Sequence, residues 1–167
     1  MPESFAEVLG TGEVPETGFR HEPAPDHPGW YTWELADQTR FNAQVMGRLL
    51  VRKEELPGGK PAVRLRMFPE RRHSNLLDAI HGGVTLALID ISLFSGLRLI
   101  LDGDAAGSVT LDLSTQFIGA GRLGQPLDAI SEVLRETRRL VFIRGTIEQD
   151  GHLVAAYNGT VRKPSGR

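Results

Sequence analysis

The sequence predicts an α+β domain, an antiparallel sheet packed on one long central helix. Two patterns carry that expectation. The apolar run at residues 82–101, opened by Gly82-Gly83, is the only segment of helical length. The segments after it alternate apolar and polar side chains between glycine-bearing turns, so strand follows strand and the strands must wrap something. A chain of 167 residues, 40% hydrophobic and 24% charged, fits one domain with a proper core.

Residues 1 to about 29 read as an irregular lead-in. Pro2, Pro15, Pro23, Pro25 and Pro28 fall there with Gly10, Gly12 and Gly18, leaving room for a short helix at residues 5–9. Trp30-Tyr-Thr-Trp-Glu-Leu35 is rich in strand-forming residues. Residues 45–53 and 61–68 are further strands, joined by the turn Glu55-Leu-Pro-Gly-Gly-Lys60. In the second of these, Val63, Leu65 and Met67 alternate with Arg64 and Arg66, which predicts one buried face and one wet face. After the helix, Val109, Leu111, Leu113, Thr115 and Phe117 alternate with polar neighbours until Gly119-Ala-Gly-Arg-Leu-Gly124 breaks the pattern. Residues 127–135 and 140–149 follow as strands, and Asp150-Gly151 signals a hairpin into residues 153–162.

Composition narrows the function. The net charge of −2, from 19 basic and 21 acidic side chains, gives no bulk attraction to nucleic acid. No cysteine is present, which removes disulfides, thiolate zinc sites and cysteine nucleophiles, and the histidines do not fall at metal-ligand spacing, so no metal is expected. Gly-x-Ser-x-Gly, Walker and Gly-x-Gly-x-x-Gly patterns are missing. The early acids and the lack of an apolar stretch after them argue against a signal peptide, so a cytoplasmic address is expected. The apolar run 84–101 is interrupted by Asp90 and Arg98, which favours a buried helix over a membrane span.

The chemistry concentrates in Asn75-x5-His81-Gly82-Gly83-x6-Asp90. Gly82 and Gly83 suit a tight entry into a helix, and a helix start also offers N–H donors and positive dipole to an oxyanion. Asp90 sits about two turns in, among Leu86, Leu88, Ile89, Ile91 and Leu93. A carboxylate in such surroundings is costly unless satisfied. It is therefore either a structural acid held by a donor, or a general base or nucleophile. His81 reads as a capping or core histidine or as a catalytic one. Asn75 suits a turn, and Thr110 suits the outward face of a strand.

These residues resemble the hotdog fold, specifically the phenylacetate-degradation (PaaI-like) branch of acyl-CoA thioesterases. The spacing Asn75-x5-His81-Gly82-Gly83-x6-Asp90 matches that family's motif, and Gly124-Gln-Pro-Leu-Asp-Ala129, the Arg138-Arg139 corner, Asp150-Gly151-His-Leu-Val-Ala155 and Gly159-Thr160 extend the likeness over roughly residues 42–163. Two departures stand out: Asp78, where relatives often have glycine, and the corner Glu136-Thr-Arg-Arg139, where they usually pair a glycine with an arginine.

The resemblance implies a hotdog domain at residues 41–163, with a curled antiparallel sheet of five or six strands around one helix. Residues 1–40 would be a proline-rich extension and 164–167 a tail. It implies hydrolysis of an acyl-CoA thioester without a cofactor, by a homodimer or a dimer of dimers. Asp90 would act as base or nucleophile, the Gly82 N–H would polarise the carbonyl, and His81 and Asn75 would bind the same carbonyl or the departing sulfur. Thr110 corresponds, after a small insertion, to a Ser or Thr that holds the attacking water in some relatives. Gly83, Arg138 and Arg139 are candidates for contact with the CoA portion, as are Arg162, Lys163 and the Arg71-Arg72-His73 cluster. Asn75, His81 and Gly82 would come from one subunit and Asp90 from the other. The alternatives are a hotdog dehydratase or hydratase, disfavoured by the order His81 then Asp90, and a non-catalytic acyl-CoA-binding hotdog protein.

Overall fold

The helix α1 runs from Gly82 to Leu101, where the apolar run places it. His81 caps its start, and Asp102 ends it in a left-handed conformation, φ 49°, with its N–H bonded to the Leu97 carbonyl. By length and composition α1 could cross a membrane, yet Leu88, Ile89, Leu93 and Leu97 are fully buried against the strands. The computed structural model describes residues 18–103, 105 and 107–164; the short helix expected at residues 5–9 lies outside them.

The strands are β1 (Phe19–Arg20), β2 (Tyr31–Thr32), β3 (Glu34–Leu35), β4 (Leu49–Leu56), β5 (Lys60–Met67), β6 (Val109–Phe117), β7 (Leu127–Glu136), β8 (Leu140–Gln149) and β9 (His152–Arg162). Seven form one antiparallel sheet in the order β2-β4-β5-β7-β8-β9-β6, and β1 pairs separately with β3. This is the curled sheet on one helix expected of a hotdog fold, with β2 supplying a seventh strand. The β8–β9 hairpin turns through Asp150 and Gly151, both at positive φ (50° and 74°), as a tight turn matching strand twist requires. At Gly159 on β9 an added Cβ would stand 2.7 Å from Leu93, so glycine there lets α1 settle onto the sheet.

Three expectations need correction. The domain does not begin near residue 41, because Trp33 is in the main core, Phe19 packs on it edge-to-face with ring centroids 4.6 Å apart, and β2 pairs with β4. The strand expected from residue 45 starts at Leu49, because Asn42–Met46 forms a single wide helical turn that ends at Gly47, φ 72°. The arginine face of β5 is not wet. Arg64 and Arg66 both bind Asp128, and Arg64 also binds Glu54. The guanidinium groups of Arg66 and Arg52 lie 4.3 and 4.6 Å from the buried Trp30 ring. The segment before β4 thus covers that face, and a cation over an indole needs no water to satisfy it.

A buried polar contact ties α1 to the sheet. The Tyr157 hydroxyl meets Ser92 Oγ at 2.9 Å and Ser131 Oγ at 2.8 Å. Burial pushes the phenol up to about 12, against the pull of the two serine hydroxyls. An unfolded tyrosine titrates near about 10, so the folded state holds this proton longer. The stability linked to it is fully present below about pH 10 and lost as pH rises through about 12, a change of about 3 kcal/mol. Tyr157→Phe therefore removes part of the fall in stability seen in wild type between about pH 9 and about pH 11. Denaturant melts of both proteins across that range check it.

Candidate active site

His81 closes the helix start in a specific way. Its Nδ1 accepts the Gly83 N–H at 2.9 Å, and its carbonyl accepts the N–H groups of Val84 and Thr85. A neutral ring then carries its proton on Nε2, leaving a donor on the cavity that His81 lines with Asn75, Leu76 and Leu77. A Cβ on Gly83 would come within 3.1 Å of His81 Nδ1, so this glycine makes room for the ring. Among the described residues, the Gly82 N–H has no partner. Three of the first four helix donors are therefore consumed locally, and the one left over is the one singled out for a carbonyl oxygen. The Gly83 N–H, by contrast, is already taken.

Asn75 is placed by the loop before the helix. Its Oδ1 accepts from Leu77 N at 2.8 Å and Ala79 N at 3.2 Å, which turns the Nδ2 donors outward. The same loop explains the departure at Asp78. That residue sits at φ 57°, where glycine is unstrained and aspartate is among the tolerated exceptions, and its carboxylate pairs with Arg71. His73, in the basic cluster, is buried with both ring nitrogens bonded, to Glu70 N and the Val45 carbonyl. It is a structural residue. Asn75 and Gly82 line one cavity of about 410 Å³ together with Phe117.

Asp90 faces a different cavity. It lines a space of about 290 Å³ with Phe19, Trp33, Leu35, Ile91, Phe94 and Arg98. Thr110 Oγ1 donates to Asp90 Oδ1 at 2.7 Å. A strictly alternating β6 would have turned Thr110 the other way. The pairing of β6 with β9 slips between Thr110 and Asp112, and this bulge at Leu111 re-aims Thr110 at the helix. Sequence reasoning missed the cavity wall of Phe19, Trp33 and Leu35, which precedes the family motif, and it missed Arg98. The spacing of Asp90, Phe94 and Arg98, which puts all three on one helix stripe, was the available signal.

Arg138 and Arg139 are exposed at the β7–β8 turn, where the Arg139 carbonyl accepts from Lys163 N. They stand at the Thr110 end of the sheet, because Val161 and Arg162 pair with both Val141–Leu140 and Thr110–Val109. Gly82 lies at the other end, against Phe117. Eight residues of helix separate Gly82 from Asp90, about 12 Å along the axis. One chain thus holds a free backbone donor and a hydroxyl-anchored carboxylate that cannot both touch the same carbonyl group.

Residues 77–156, which include both the helix start and Asp90, match the thioesterase superfamily. That match covers just under half of the chain and makes this segment similar to the superfamily. Human acyl-coenzyme A thioesterase 13 is 28% identical to this hotdog protein over 91 residues, 53% of this chain and 64% of the relative. The chain therefore spans less than two thirds of the length of the curated relatives it matches. The structure of zebrafish thioesterase superfamily member 2 superposes with a TM-score of 0.65 at 23% identity, covering 77% of this chain and 90% of that one. The Escherichia coli PaaI protein from the phenylacetic acid degradation operon superposes with a TM-score of 0.57 at 17% identity, over 74% and 84% of the two chains. Both share the hotdog fold with it.

Proposed function

We propose that this protein hydrolyses acyl-CoA thioesters at a site shared by two copies of the chain. The observation that carries the reading is the division of the motif: Gly82 with its free N–H opens on one cavity and the Asp90–Thr110 pair on another. A two-fold axis joins them. β6 ends the sheet with an unpaired edge, and antiparallel pairing of that edge with itself, centred between Leu113 and Ser114, sets Thr110 opposite the partner subunit's Phe117. Since Phe117 lies against Gly82 and Thr110 against Asp90, each helix start then meets the other copy's carboxylate. Self-pairing also covers the exposed Leu111, Phe117 and Ile118.

In the shared site the thioester carbonyl oxygen accepts from the Gly82 N–H, at the positive end of the helix dipole. Asn75 Nδ2 and His81 Nε2 are the neighbouring donors. Asp90 takes a proton from water, and the water oxygen attacks the carbonyl carbon. Thr110 fixes Oδ1 so that the other carboxylate oxygen serves the water. Collapse of the tetrahedral intermediate breaks the C–S bond, the carboxylic acid forms, and the CoA thiolate leaves and takes up a proton. The test is free-thiol release from a panel of aryl, short-chain and long-chain acyl-CoAs. Turnover of at least one class supports the reading, and none across the panel sinks it.

The loop tip gives a second check. Leu76 and Leu77 are 103% and 86% exposed beside Asn75, and each leucine side chain gains about 1.5–3 kcal/mol when a partner covers it. Leu76→Ser combined with Leu77→Ser should shift the protein toward monomer in light scattering and lower thiol release in parallel. A dimer of unchanged mass would place the interface elsewhere.

A further inference from the structure

The cavity beside Asp90 has a second charged group that the hydrolytic chemistry does not use. Arg98 lies eight residues further along α1, on the same stripe as Asp90 and Phe94, and lines the same cavity. Its guanidinium rests 4.7 Å from the centroid of the Phe19 ring. Among the described residues no carboxylate pairs with it. Most of the remaining lining is apolar, from Trp33, Leu35, Ile91, Phe94 and Ala105, with Asn42 the one further polar side chain. Phe19, Trp33 and Leu35 come from the segment before the family motif, outside the matched residues 77–156.

We infer that this cavity receives the acyl group and that Arg98 selects acyl groups ending in a carboxylate. The inference rests on the hydrolytic reading of Asp90 for its orientation, with the thioester at Asp90 and the far end of the acyl group at Arg98. The two residues are about 12 Å apart along the helix axis, and the arginine side chain leans back toward the helix start. The remaining gap suits an apolar stretch of about four carbons or one aromatic ring. A guanidinium already resting on the Phe19 ring loses less freedom on binding a carboxylate, whose two oxygens match its paired N–H donors. An acyl group with a methyl end offers that exposed cation no contact and leaves it to water.

The experiment compares adipoyl-CoA with hexanoyl-CoA, equal in length and differing in the terminal carboxylate, by thiol release from the wild-type protein, Arg98→Met and Arg98→Lys. Wild type is expected to favour adipoyl-CoA in kcat/KM by about tenfold or more, the effect of one charge-assisted contact. Arg98→Met should collapse that ratio through KM, and Arg98→Lys should keep part of it. A wild-type ratio near or below unity, or a ratio that Arg98→Met leaves unchanged, overturns the inference. If neither thioester releases thiol, the wider acyl-CoA panel decides hydrolysis, and calorimetric titration with the same two thioesters decides this inference. Tighter adipoyl-CoA binding that Arg98→Met abolishes supports it, and equal affinities overturn it.

Discussion

Asp90→Asn should lower kcat for thioester hydrolysis by about a thousandfold, within the range of a lost general base. The substitution keeps size, shape and the oxygen that accepts from Thr110, so the helix and the β6 bulge have no reason to move. What disappears is the ability to take a proton from water. The loss should appear in kcat and kcat/KM together, since Asp90 makes no use of its charge in binding a neutral thioester. Thermal melting of the variant should stay within a few degrees of wild type, because no buried donor is left unpaired. Thiol release at wild-type speed would mean that the aspartate is structural and that Thr110 merely satisfies it. A single turnover in oxygen-18 water tests for the nucleophile: label in Asp90 requires a covalent anhydride opened at the Asp90 carboxyl carbon, which a base never forms.

The second large effect is expected from the backbone. Gly82→Pro removes the one helix-start N–H that has no partner among the described residues. Proline is at home in the first turn of a helix, and His81 before it already has φ −65° and ψ 136°, the extended geometry that a following proline demands. A Cβ at this position stands 3.4 Å from the Phe117 ring, an ordinary contact. The fold should therefore survive while turnover drops by about a hundredfold or more, the effect of one missing oxyanion donor. Mixing the two inactive proteins is the decisive measurement. If Gly82 and Asp90 act across subunits, co-refolded Asp90→Asn and Gly82→Pro chains form heterodimers with one intact site. Activity then returns to about a quarter of wild type, since half of the dimers are mixed and each repairs one site of two. No recovery would put both residues of a working site in the same chain.

Much of this was legible before any coordinates. The helix runs over the residues its apolar run and double glycine mark out, and Asp150-Gly151 turns as that dipeptide should. These signals are local, since a backbone conformation is dictated by the residues that adopt it. The aim of Thr110 depends instead on a one-residue slip against β9, and no alternation pattern reveals where a ladder slips. The cover over Arg64 and Arg66 was equally hidden, because it comes from Trp30, distant in sequence and embedded in a proline-rich stretch that suggested irregular chain. His81 was ambiguous for a different reason. Its side chain caps the helix with one nitrogen and leaves the other on the cavity, so capping does not use up the donor that a catalytic role would need.

Phe19, Trp33 and Leu35 shape the cavity beside Asp90 from a stretch that precedes the superfamily match. The parts that would perform the chemistry and the parts that bound its chamber are thus written in separate portions of the chain. Changes in the leading portion can resize or recharge the chamber while the donors and the acid stay where they are. Differences in substrate range among such proteins would then be sought first in the stretch that supplies Phe19, Trp33 and Leu35, outside the matched residues 77–156.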